Sequence, residues 1–201
     1  MSNPIPTSVV EGFSLSHAQI CDGTTSFRDQ LAAAVGAGLD MFGVNNASLA
    51  ADTGNYENQG DDRTRSRWNW LNFATITVQG GYLSFPTYAT LSGRPLTTLQ
   101  TTGGTPVTNG YEMDLWHEDS MNVSPKPAMI VMPAKDSNGA VMRLVIGLYK
   151  VQFGPIGFDG PAFKDGFKVN YEGTALMSAT DEKGTVHTDG KERIGKLIAL
   201  V

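Results

Sequence analysis

Alternation of apolar and polar residues with period two, interrupted repeatedly by glycine, constrains this chain most. From Leu71 to Gln79, Phe73, Thr75, Thr77 and Gln79 fall on one side while Ala74, Ile76 and Val78 fall on the other. That is a strand with one wet and one greasy face. Phe167 to Thr180 repeats the pattern, its polar row made by Lys168, Asn170, Glu172 and Thr174. Tyr111 to Glu118 alternates too, with Tyr111, Met113, Leu115 and His117 opposite Glu112, Asp114, Trp116 and Glu118. Ala128 to Ala134 and Val141 to Phe153 read as strands around the turn Asp136-Ser137-Asn138-Gly139, and the second, the longest apolar run, belongs at the centre of a sheet. With 23 glycines and only 17% charged residues in 201, the chain reads as mainly β: an antiparallel β-sandwich or partly open barrel with one short helix.

The helix is expected near the start. Ser26 can cap a segment through Phe27, Leu31 and Ala34 that ends at the glycines from Gly36 to Gly38. The alternating stretch from Val9 to Cys21 before it reads as an arm, so residues 1–38 form an arm with a helix and residues 39–201 the β domain. Asp40 to Ala50 is a strand, and Asp52 to Asp62 a polar loop. Gly80-Gly81 suits a tight hairpin, so Tyr82 to Leu91 is expected to fold back as a strand, at an edge or bulged because Pro86 has no N–H. Leu96 to Gly110 and Gly154 to Gly166 read as loops, Asp181 to Gly184 as a turn, and Arg193 to Leu200 as the closing strand.

Most kinds of chemistry find no support. A net charge of −5 lacks the basic excess that proteins tracking phosphates need. The one cysteine, Cys21, can form no internal disulfide and reads as a small buried residue of a reducing compartment. The first residues carry no basic, apolar leader, and nothing approaches the roughly 20 apolar residues that span a bilayer, so neither secretion nor a membrane is expected.

His117-Glu118 continues as Asp119-Ser120-Met121 and so lacks the second histidine of a zinc-protease motif, while His17 and His187 are remote in sequence. Gly154, Gly157 and Gly160, flanked by Pro155 and Pro161, depart from the dinucleotide fingerprint. Asp61-Asp62 and Glu118-Asp119 are adjacent acids of the solvated kind, and no nucleophile elbow is present. The expectation is no enzyme, no cofactor and no metal. A hydrolase using Glu118 or Asp119 is one rival. The leading alternative is a carbohydrate-binding β-sandwich, receptor-binding or capsid-decorating, with Trp68, Trp70 and Trp116 as a stacking platform. The core or a subunit interface explains those rings equally well.

Between Asp61 and Arg67 two acids precede Arg63, Arg65 and Arg67. Within one subunit such surface pairs contribute little; across a repeated interface the same order sets register and rejects wrong neighbours. At these residues the chain resembles the major tail tube protein of long-tailed phages, particularly the actinobacterial siphovirus type. The matching pieces are Phe42-Gly43-Val44 with Ser48-Leu49, the Tyr56 to Asp62 loop, Trp68 to Gly81, Ser92-Gly93, Leu148 to Pro155, and Tyr171 to Leu176.

The resemblance implies a virion protein, made in the host bacterial cytoplasm, that self-assembles into hexameric rings stacked as a hollow tail tube. DNA would pass through it without specific binding, and tape-measure and tail terminator or tip proteins would be its partners. Tyr56, Glu57, Gly60, Asp61, Asp62, Arg63, Arg65 and Arg67 would then belong to a ring-stacking loop. Thr75, Thr77, Gln79, Lys168, Asn170, Glu172 and Thr174 would line the lumen.

Overall fold

The computed structural model describes residues 11–12, 17–32, 39–41, 44–60, 63–80, 85–99, 110–112, 123–135, 139–162 and 166–200. In chain order the elements are β1 (Glu11–Gly12), β2 (His17–Ile20), α1 (Phe27–Ala32), β3 (Leu39–Met41), β4 (Val44–Gly60), β5 (Arg63–Gly80) and α2 (Phe85–Ser92). They continue with β6 (Thr97–Leu99), β7 (Gly110–Glu112), β8 (Lys126–Lys135), β9 (Val141–Phe153), β10 (Gly157–Ala162), β11 (Gly166–Leu176) and β12 (Gly195–Leu200). The chain is mainly β. Among the described residues one antiparallel, open sheet runs β3-β2-β8-β9-β11-β5-β4, with β1 joined to β8, β10 to β11 and β12 to β9. A separate ladder pairs β6 with β7.

β9 organises this sheet. One side pairs with β8 from Val141 to Val151. The other side is shared end to end: β12 takes Arg143 to Leu148, and β11 takes Val151 to Phe153. The central position predicted from its apolar run is therefore correct, and the run has a reason. Val145 and Tyr149 enter one buried cluster with Phe27, Met129 and Val131, while Leu148 enters the other. A strand covered on both faces has no polar row to show. The larger cluster joins Ala18, Ile20, Ala128 and Ile130 to Ile76, Val78, Val169 and Tyr171, so residues from β2 and β8 share a core with those of β5 and β11.

Two glycines make the close approaches possible. A Cβ at Gly147 would overlap the Phe27 ring, and one at Gly173 would press on Val151 and Phe153.

Helix α1 starts where its cap predicts. Ser26 Oγ accepts a hydrogen bond from the Asp29 N–H at 3.1 Å and donates to Asp29 Oδ2 at 2.6 Å. The expected continuation to Ala34 and the glycines lies outside the described residues.

A second helix corrects the sequence reading. Of the expected return strand Tyr82 to Leu91, the described part is helical: Phe85–Ser92 is α2, and β5 is flanked by β4 and β11. Pro86 falls in the first turn, where a missing N–H costs nothing. Thr87, Tyr88 and Leu91 are buried at helical spacing, and that burial overrides the strand preference of Tyr, Phe and Thr. Gly93, at φ 67°, ends the helix, with the Arg94 N–H donating to the Ala89 carbonyl at 3.1 Å.

Other corrections are smaller. Leu39–Met41 and Val44–Gly60 are two strands rather than one strand followed by a loop. Within Gly154 to Gly166 lies β10, and Leu96 to Gly110 begins and ends in β6 and β7. Of Tyr111 to Glu118, only Tyr111 and Glu112 are described. The segment assigned to the N-terminal arm supplies β2, which lies between β3 and β8.

Gly147→Val and Gly173→Val should each cost about 1–3 kcal/mol through overpacking. Urea denaturation reads this as a lowered midpoint, against a change below roughly 0.5 kcal/mol for Val141→Ala at a residue that is 70% exposed.

Candidate functional site

The two polar rows expected from sequence meet on one surface. β11 pairs with β5 so that Asn170 faces Gln79, Glu172 faces Thr77 and Thr174 faces Thr75. Gln79 Nε2 donates to Asn170 Oδ1 at 3.0 Å, which ties the rows together. β4 extends the surface by placing Asn46 beside Gln79 and Ser48 beside Thr77. Sequence reasoning missed Asn46 and Ser48, although their alternation with Ala47 and Leu49 carried the signal. Lys168 pairs with Asp159 of β10 at the far end of the row. Ala74, Ile76, Val78, Val169, Tyr171 and Ala175 fill the opposite, buried side. An open hollow of about 350 Å³ lies at the polar surface, between Thr75, Gln152, Glu172 and Thr174.

A second feature is a ribbon. β4 and β5 stay paired from Val44↔Gly80 out to Gly60↔Arg63, whereas β11 leaves β5 at Phe73. Beyond that point, among the described residues, the two strands pair only with each other. At roughly 3.3 Å per residue, the stretch from Thr53 to Gly60 reaches about 26 Å past the sheet.

The expected polar loop is thus the outer half of a hairpin. Tyr56, Glu57 and Gly60 lie in β4, Arg63, Arg65 and Arg67 in β5, and Asp61 and Asp62 outside the described residues. Polar composition misled because Thr53 to Gly60 carries no row of alternating apolar residues to announce a strand.

A bulge marks the root of the ribbon. The register shifts between Asp52↔Phe73 and Thr53↔Leu71, leaving Asn72 as an extra residue. Asn72 Nδ2 donates to Asp52 Oδ2 at 2.9 Å across it. Next along, Trp70 pairs with Gly54 and its ring lies over that glycine, where a Cβ would overlap the indole.

Near the start of α1 lies a part-buried ion pair that no sequence motif announced. Lys196 Nζ reaches Glu182 Oε1 at 2.6 Å, the carboxylate being buried and the lysine 35% exposed. The same oxygen accepts from the Phe27 N–H at 3.2 Å, which satisfies a free donor at the start of α1. Lys196 also lies 5.2 Å from the Phe27 ring centre, and Tyr149 stacks on Phe27 at 6.2 Å.

Burial, with Glu182 nearby, raises the Tyr149 phenol. Burial likewise pushes the Cys21 thiol up, leaving it protonated and inert. Burial alone would raise Asp22, but donors from Thr24 and Thr25 outweigh it and hold the carboxyl at about 2.

Among the described residues no group of three or more His, Cys, Asp or Glu is placed to hold a metal ion. No described helix is long and apolar enough to cross a membrane. The glycines 154, 157 and 160 border or lie in strand β10. His17 sits in β2, and His187 packs on Tyr149 with ring centres 5.2 Å apart. Trp116, His117, Glu118 and Asp119 lie outside the described residues. Compared with known proteins, the chain matches no family model and no curated sequence.

Lys196→Ala leaves Glu182 buried beside uncharged partners. Since water reaches the lysine, the expected loss is at the lower end for such pairs, about 2–3 kcal/mol by denaturant unfolding. Asp22 supplies an acid-side test. Its folded value lies below the ordinary 3.8, so its contribution is present above that value and vanishes as pH falls towards 2. Asp22→Asn should flatten the fall in melting temperature between about pH 4 and pH 2, and an unchanged slope would rule this out.

Proposed function

We propose that this chain is a structural virion protein without enzymatic activity: the subunit of a phage tail tube, joined edge to edge into rings that stack around a DNA channel. One observation carries the reading. The run β10-β11-β5-β4 is antiparallel throughout, polar on one face, and its outermost strands run in opposite directions. A rotation about an axis along the strands preserves their direction. It therefore sets β10 of one copy beside β4 of the next in antiparallel sense, and repeated turns close a barrel without bare edges.

Three further features support the reading. The apolar face of this run shares its core with β2 and β8, as a two-layered, sandwich-type subunit requires. The polar face, turned inward, offers Thr75, Thr77, Gln79, Asn170, Glu172 and Thr174 to water. Because the chain carries net negative charge, it gives passing phosphates nothing to cling to. The ribbon projects from one edge of the run, where it can reach the adjoining ring. In this reading six subunits form each ring, as in the resembling family, tape-measure and terminator or tip proteins are the partners, and the virion tail is the location.

Purified protein should form hollow tubes whose yield rises with concentration, visible by negative-stain microscopy. Deleting Gln59 to Arg65 shortens only the ribbon, so this variant should keep the circular dichroism of the parent and form no tubes. Normal tubes from the deletion variant would remove the ribbon from the assembly mechanism.

A further inference from the structure

We infer that the ribbon, in the tail-tube reading on which this inference rests, does not lie on the surface of one neighbour but is gripped on both faces, between two other copies of the chain. The evidence is at its root. Trp70 and Leu71 are consecutive residues paired in step with Gly54 and Thr53, just outside the bulge, so their side chains leave the ribbon on opposite faces. Both stay open to solvent, at 49% and 39% exposure. Neither joins a core cluster of the chain. Their neighbours Asn69 and Asn72 are exposed as well, as are Thr53 and Asn55 on the facing strand. A ribbon laid on a single surface would need a large apolar side chain on one face only.

Size argues in the same direction. Two strands set about 4.8 Å apart and about 26 Å long present roughly 300 Å² on each face. A stable interface takes about 800 Å² from each partner. One face falls far short of that, and two faces with their flanking edges come much nearer. An isolated two-stranded hairpin is also only marginally stable in water, so contact on both faces would keep the ribbon straight as well as attached.

The occupant is a second copy rather than an unrelated protein because of charge order. Glu57, Asp61 and Asp62 precede Arg63, Arg65 and Arg67 along the chain, so the segment holds both signs in sequence. A segment of this kind is complementary to a shifted copy of itself, and poorly matched to a partner of uniform sign.

The test uses the full chain with Trp70→Ser and Leu71→Ser made separately. Each should lower tube yield at least ten-fold in sedimentation and microscopy while leaving circular dichroism and the melting temperature unchanged. Trp70→Phe and Leu71→Met, which keep an apolar side chain, should restore assembly. If one serine variant assembles as the parent does, the ribbon touches its neighbours through a single face and the two-sided grip is wrong. If both serine variants assemble normally while the Gln59 to Arg65 deletion does not, the ribbon acts through its tip and the grip is again wrong. Tubes formed normally by all three variants would instead strike at the ribbon's role in stacking, and a parent chain that never forms tubes would end the tail-tube reading itself.

Discussion

Everything in this molecule is arranged around the divided hydrogen bonding of β9. A strand offers two edges, and here one edge belongs wholly to β8 while the other is split between β12 and β11. That division lets a single sheet serve two purposes. The part containing β2, β8 and β12 packs with α1 and the ion pair, whereas the part containing β11, β5 and β4 carries one polar face whose described residues are exposed or half-buried. Gly173 permits the handover, since any larger residue there would push Val151 and Phe153 away from β11. The polar surface and the ribbon are both attached to the second part, so their placement depends on three residue pairs at the end of β9.

How much of this the sequence disclosed depends on how many faces each strand buries. Where one face is wet and one dry, as in Ala74 to Gln79 and Val169 to Ala175, alternation was plain and the polar rows were read correctly. The register that aligns them, with Glu172 opposite Thr77, could not be read, because strand pairing across some ninety residues has no local signature. β9 was legible for the opposite reason, its apolar residues running on through most of the strand with no regular polar row.

The failures cluster where context outweighs local preference. α2 is composed largely of residues that favour strands, and only the burial of Thr87, Tyr88 and Leu91 makes it helical. The ribbon looked like a loop because Asp52 to Gly60 has few apolar residues, and backbone pairing alone keeps it extended. Glu182 and Lys196 looked like ordinary surface charges within a turn and a closing strand. Their role emerges only when the turn after β11 brings the carboxylate over the start of α1.

That contact between Phe27, Glu182 and Lys196 ties together segments far apart in the sequence. The hydrogen bond from the Phe27 N–H spans 155 positions, and the lysine lies further on still. Helix α1 obtains the acceptor for its first donor only when this distant turn folds over it. A closure of that span raises the contact order, the topological feature that slows folding, whereas the ribbon pairs residues that are near in sequence.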